Sequence, residues 1–301
     1  MTTAGFKDVS GSGFAFYEIA SPTSENLNEL RERLPFIVEE DLSDCLPPFE
    51  RPKLIERENY LFLVLLYPYY NEETGIIRPT EVDFMLGKDF LVVFHDETLP
   101  EMKHLTARRS PHLTPIRMMI EMAHELTVTR FPILKDISNE LIDIENRLFD
   151  SGNGSLIRDI LKARSNILSF RESMQGHTMA LSKLTVRGER FFDVHEEKLE
   201  IDELIAHIDD IWNFLSNDRD TAETLYESHL SLVTMKTNHA MKSLTALAFV
   251  IFPTSLAAAI FAMGAEHMPI TGHPHDFWIM LGVVLAVMAS ILTFVKLKRW
   301  L

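Results

Sequence analysis

Two uncharged apolar runs, Leu244–Met263 and Phe277–Val295, follow one another near the end of the chain and limit what it can fold into. An α-helix rises about 1.5 Å per residue, so roughly 20 residues cross the ~30 Å hydrocarbon core of a bilayer. A buried helix of a soluble domain rarely goes so far without a charge, and here two do so in succession. The connecting segment Gly264–Asp276 has no Lys or Arg. Lys236 and Lys242 precede the first run, and Lys296, Lys298 and Arg299 follow the second. The positive-inside bias then puts both flanks in the cytoplasm. The expectation is a multi-pass inner-membrane protein whose hairpin anchor is embedded in lipid, with both termini cytoplasmic.

A chain of 301 residues leaves room for one sizeable domain before the anchor. Met1–Phe16 contains no continuous apolar stretch, so no cleaved leader is expected. A formal charge of −15 argues against nucleic acid or anionic lipid as the main partner. It suits a surface that meets cations, and equally a generic acidic surface kept dispersed by repulsion. Cys45 is the only cysteine, which excludes an intrachain disulfide or a thiolate zinc site and agrees with a cytoplasmic domain.

The first third of the chain reads as α/β. Residues 14–20 read as a strand, Ser24–Leu34 as a Ser-capped helix, and the aromatic-rich run Tyr60–Tyr67 as a buried strand. Glu81–Leu86 and Phe90–His95 are strands around the turn Gly87-Lys88-Asp89. From Pro115 the periodicity is helical, over Pro115–Asp150 and Ser155–Val186. A final helix has neither Gly nor Pro from His195 to Phe252, which allows a single rod of roughly 85–90 Å. Helices this long, without internal caps, suggest neighbouring copies that cover each other's faces.

Steps of four and three from Glu227 reach Ser231, Thr234, Asn238, Met241, Thr245, Ala248, Phe252, Ser255, Ala259 and Ala262. That face is mostly small or polar and stays so after the helix has become apolar, whereas Leu247, Phe249, Val250, Ile251, Ile260 and Phe261 occupy the other faces. Small and hydroxylated residues in a membrane helix face other helices or a water-filled path. Close helix packing explains the stripe; so does a pore axis, which the oxygens of Asn238 and Glu227 favour. On such a path Met241 and Phe252 are apolar constrictions.

These residues resemble the CorA-type divalent-cation transporter family. The likeness runs through Asn238, Met241-Lys242-Ser243-Leu244-Thr245, Pro253-Thr254-Ser255, Ala262-Met263-Gly264 and Glu266-His267-Met268-Pro269. It extends to Arg51-Pro52-Lys53 and Glu58–Val64, and so covers nearly the whole chain. The resemblance implies a funnel-shaped homopentamer, with an α/β cytoplasmic domain followed by long helices and a two-helix transmembrane hairpin. It implies passage of divalent cations (Mg, Co or Zn) with no catalytic cofactor and no enzymatic activity. It also makes acidic residues of the stalk candidates for regulatory cation binding: Glu203, Asp209 and Asp210, with Glu227 further along.

One departure bears on selectivity. Where the family has Gly-Met-Asn, with Asn oxygens ringing the outer mouth, this chain has Ala262-Met263-Gly264. Gly264 offers only its carbonyl, and Mg²⁺ is held through oxygens while keeping its waters. Glu266, His267, His273, His275 and Asp276 place imidazoles and carboxylates in the adjoining loop, a donor set better suited to Zn²⁺ or Co²⁺ than to Mg²⁺, although ordinary headgroup-level histidines look the same. Two alternatives therefore stand beside magnesium-type transport: a zinc-selective branch, and a non-conducting ion-sensing membrane scaffold. Enzyme chemistry finds no support, since Gly11-Ser12-Gly13 lacks the length and Lys of a phosphate loop and no Ser stands in a nucleophile elbow. The expected organisation is an α/β domain over 1–110, a helical hairpin over 111–194, and a stalk and pore helix over 195–263 with its membrane span at 244–263. An external loop over 264–276, a second membrane helix over 277–295 and a basic tail over 296–301 complete it.

Overall fold

The computed structural model describes residues 6–8, 13–106, 114–148, 155–263 and 274–297. The apolar run that follows Tyr60 forms an inner strand of a six-stranded sheet. Strand β4 (Leu61–Asn71) pairs antiparallel with β5 (Ile76–Leu86) through the turn that Gly75 closes with a φ of 64°. Strand β3 (Lys53–Glu56) pairs along the first half of β4, and β6 (Phe90–His95) lies on the far side of β5. Strand β2 (Ala15–Ala20) runs parallel to β6, and β1 (Phe6–Asp8) closes that edge, giving the order β1-β2-β6-β5-β4-β3.

Both faces of the sheet are covered, which is why β4 reads as a continuous apolar run rather than an alternating one. Phe62 and Val64 join Tyr17, Ile19, Met85, Val92 and Phe94 in a core capped by Leu27, Leu30 and Leu42. Those leucines come from helices α1 (Ser24–Arg33) and α2 (Glu39–Asp44). The start of α1 is held by a reciprocal cap between Thr23 and Asn26. Leu61, Leu63 and Leu65 alternate with Phe62 and Val64 and are equally buried. Strands β4 and β5 meet α6 (Leu156–Met174), while β5 and β6 meet α4 (Pro115–Val128). The short helix α3 (Met102–Leu105) precedes α4.

The helical region is more divided than its periodicity suggests. The single expected helix over Pro115–Asp150 is two, α4 and α5 (Phe131–Leu148), because Pro132 cannot donate to a preceding turn. Arg130 fills the break: it is buried, its Nε donates to the Leu126 carbonyl, its Nη1 to the Pro68 carbonyl of β4 at 3.0 Å, and its Nη2 to Glu101 at 2.8 Å. The expected helix over Ser155–Val186 also divides, into α6 and α7 (His177–Arg187), at Gly176 with a φ of 91°. Strand β3 stops opposite Val64, and beyond it His177 takes over the edge of β4, its Nε2 accepting from Leu66 N–H at 3.2 Å. Asn166 of α6 does the same for β5, accepting from Ile77 N–H and donating to the Gly75 carbonyl.

Helix α8 (Val194–Ala262, 69 residues) follows, then α9 (Asp276–Leu297). The chain divides into two units, Met1–Tyr226 and Glu227–Leu301, with the boundary inside α8.

Candidate ion path

The second unit carries the functional argument. Among the described residues two helices are long and apolar enough to cross a bilayer, one within Glu197–Ile260 and the other Asp276–Phe294, and of their apolar stretches only 6% of the first and none of the second is buried. A core helix of a soluble protein would show the opposite. Leu244, Leu247, Phe249, Ile251, Leu256, Trp278 and Phe294 are all exposed, a large apolar surface that water does not tolerate in a monomer and that lipid or further copies would cover.

Helix α8 continues through Pro253 to Ala262 and so brings the stripe onto one face. Asn238, Met241, Thr245, Phe252, Ser255 and Ala259 are exposed and Ala248 is half-buried, with Met241 at 61% and Phe252 at 73% exposure. Ser231, Thr234 and Asn238 line one shallow groove of about 550 Å³ together with Met235, His239 and Lys242. Thr234 donates to the Leu230 carbonyl at 2.9 Å and Thr245 to the Met241 carbonyl at 2.8 Å. A hydroxyl whose proton is committed to the backbone has only lone pairs left to offer outward. Along this face those oxygens therefore act as acceptors, the polarity a cation or its water shell requires.

Of the residues expected at the outer mouth, Ala262 ends α8 and Met263 is 78% exposed. Gly264, Glu266, His267 and His273 lie outside the described residues. His275 and Asp276 open α9, where the Asp276 carboxylate accepts from Phe277 N–H at 2.7 Å and the His275 carbonyl accepts from Ile279 N–H. The acidic candidates are dispersed along α8. Asp209 accepts from the Thr178 hydroxyl of α7 at 3.3 Å, while Asp210 and Glu227 are exposed. Glu203 stands beside His207 and His124 instead of other carboxylates. His124 comes from α4, so no local spacing in the sequence pointed to it; the only signal was the four-residue step between Glu203 and His207.

The segments that carried the resemblance in the first unit are structural. Glu58–Val64 leads into β4, where the Tyr60 hydroxyl donates to Asp41 at 2.6 Å and accepts from Val38 N–H, and Arg57 pairs with the same buried carboxylate. Lys53 of Arg51-Pro52-Lys53 bridges Asp44 at 2.7 Å and Glu50 at 3.2 Å.

Comparison with known proteins identifies the fold and the family. The cobalt/magnesium transport protein CorA of Thermotoga maritima is 24% identical over 273 residues, covering 86% of this chain and 76% of that protein. The complete structure of the CorA magnesium transporter from Methanocaldococcus jannaschii superposes with a TM-score of 0.84 at 18% identity, over 96% of this chain and 92% of that one. The full-length CmaX protein gives 0.73 at 17% identity, over 95% and 89%. The family described as CorA-like Mg²⁺ transporter protein matches residues 11–299, and this chain therefore belongs to that family of divalent-cation membrane transporters.

Proposed function

We propose that copies of this chain, five by the family resemblance, assemble around a common axis in the inner membrane and pass divalent cations along the α8 stripe. The observation that carries this reading is the face from Asn238 to Ala259, which apart from Met241 and Phe252 keeps small or polar side chains, while Leu247, Phe249, Val250 and Ile251 stand on the other faces of the same helix. A symmetric bundle is required because one or two helices per chain cannot enclose a hydrophilic path. In this reading residues 1–110 and 111–194 form the cytoplasmic domain, 195–263 the stalk and pore helix with its span at 244–263, and 277–295 an outer membrane helix paired with it. The loop over 264–276 is external, and the tail over 296–301, with Lys296, Lys298 and Arg299, meets the inner leaflet.

Selectivity follows from the mouth. Without an Asn amide at Gly264 the ring that meets hydrated Mg²⁺ is weakened, and Glu266, His267, His273, His275 and Asp276 supply softer donors. That favours a second reading in which Zn²⁺ competes with Mg²⁺ and Co²⁺ as the cation carried.

Single cysteines test the path. At Asn238, Thr245 and Ser255 they react with small aqueous thiol reagents in the membrane-embedded protein, while those at Val250 and Ile251 stay protected. Equal labelling of the two sets removes the pore assignment.

A further inference from the structure

Helix α5 turns two parallel rows of side chains toward the closed end of the β4–β5 hairpin. Ile133 and Ile137 form one row, Asp136 and Glu140 the other, and the members of each pair stand four residues apart on one face of the helix. Tyr70 and Ile77, directly opposed across the two strands, line the same space, and Asn166 of α6 completes it. These residues enclose a cavity of about 350 Å³, within the size range of small-ligand pockets. The Asn166 amide is already committed, accepting from Ile77 N–H at 3.0 Å and donating to the Gly75 carbonyl at 3.2 Å, so the charge of the cavity comes from the two carboxylates. Neither Asp136 nor Glu140 has a hydrogen bond or ion pair among the described residues. Arg147 is taken up by Asp143 and Asp159, and Lys162 Nζ rests against Gly75 beside the Tyr70 hydroxyl. Burial pushes the Glu140 carboxyl above its usual range; Lys162 opposes the shift, and Asp159 and Asp143 add to it. A half-buried carboxylate without a bonded cation gains from acquiring one.

We propose that this cavity binds a linear aliphatic diamine, with one ammonium on Asp136, the other on Glu140, and the intervening methylenes against Ile133 and Ile137. Residues four apart on a helix have Cβ atoms about 5–6 Å apart, a separation that two ammonium groups joined by about four or five methylenes also span. Isoleucine walls favour a hydrocarbon chain over a bare hydrated ion, and the half-exposed Tyr70 ring supplies an aromatic surface for an ammonium. Among the described residues Asp136 and Glu140 belong to no group of three converging metal donors, so the cavity favours a cation with two separated charges over a single ion. The same carboxylates disfavour an anion. An occupied cavity ties α5 to the β4–β5 hairpin. It uses no residue of the α8 stripe or of the acidic stalk, and it stands whether or not the stripe conducts.

Titration calorimetry of the full-length protein in detergent with cadaverine, at fixed ionic strength, provides the test. The wild type binds one equivalent per chain, and pentylamine, with the same carbon chain and a single charge, binds at least about tenfold more weakly. Glu140→Gln and Asp136→Asn each weaken cadaverine binding at least about tenfold. Both variants keep their fold, because the amides match the carboxylates in shape and neither carboxylate holds a partner; melting temperatures without ligand no lower than that of the wild type check this. Asp209→Asn combined with Asp210→Asn leaves the affinity unchanged, and Mg²⁺ exchanged for Na⁺ at equal ionic strength does not displace the diamine. The proposal is overturned if cadaverine fails to bind, if Glu140→Gln and Asp136→Asn keep the wild-type affinity, or if pentylamine binds as tightly as cadaverine. It is equally overturned if Mg²⁺ displaces the diamine, or if the stalk variant alone removes binding, which would place the diamine on the acidic stalk.

Discussion

Glu81 and His177 are buried groups that titrate with opposite effects on stability, and replacing each in turn separates the effects. Glu81 lies on β5 beside Asp83, with Cys45, Glu50 and Lys53 around the pair. Burial pushes the Glu81 carboxyl up to about 7 from an ordinary 4.5, and Asp83, fully enclosed beside it, is also held well above its usual range. Burial pushes His177 down to about 4 from 6.5, and its Nε2 accepts a backbone N–H, which fixes the neutral ring. For Glu81 the folded state binds more protons, so its contribution is fully present below pH 4.5 and is lost as the pH rises to 7. For His177 the unfolded state binds more protons, so its contribution is present above pH 6.5 and is lost as the pH falls to 4. At 1.36 kcal/mol per unit each effect amounts to about 3 kcal/mol, and between pH 4.5 and 6.5 the two oppose each other. Glu81→Gln keeps an acceptor for Glu50 N–H and removes the alkaline loss. Its stabilisation should be about 2–3 kcal/mol larger at pH 8 than at pH 5, or roughly 4–12 °C in the melting temperature of a unit this size. His177→Gln keeps an acceptor for Leu66 and should flatten the acid arm instead. Thermal melts of the full chain in detergent across this range provide the measurement. An equal shift for Glu81→Gln at both pH values refutes the reasoning.

Two further substitutions have defined outcomes. Arg130→Ala leaves Glu101 and the Pro68 and Leu126 carbonyls without their shared donor, and by the usual penalty for breaking a buried ion pair should destabilise the first unit by about 3 kcal/mol, read from the same melts. Phe252→Ser replaces a 73%-exposed ring on the stripe with a small hydroxyl; if Phe252 is an apolar gate, cation leak into liposomes rises, and unchanged uptake would mean that it packs between helices instead.

The sequence revealed the fold where one physical signal dominated. Phe90–His95 is a strand at those bounds, and all of the expected Tyr60–Tyr67 run except Tyr60 lies within β4, because runs of buried aliphatic and aromatic residues leave little alternative. The long final helix was legible from the lack of Gly and Pro. What escaped depends on tertiary partners. Strand β3 is four residues that become a strand only beside Leu61–Val64, and the α4–α5 break rests on Arg130 reaching across to Pro68. For the site, the spacing of the stripe could be read from the chain, and so could the altered triplet Ala262-Met263-Gly264. The meeting of His124 with Glu203 and His207 could not, because the histidine comes from a helix some eighty residues away in sequence.

The most direct test of the transport reading is metal flux in proteoliposomes containing the full chain, with Mg²⁺, Co²⁺ and Zn²⁺ compared side by side and repeated on Gly264→Asn combined with Ala262→Gly. The account predicts saturable uptake by the wild type with weak preference for Mg²⁺, and a shift toward Mg²⁺ once the amide is restored at the mouth. Vesicles that take up none of the three metals above the protein-free background, with the protein shown to be assembled and correctly inserted, would contradict it and leave the ion-sensing scaffold in its place.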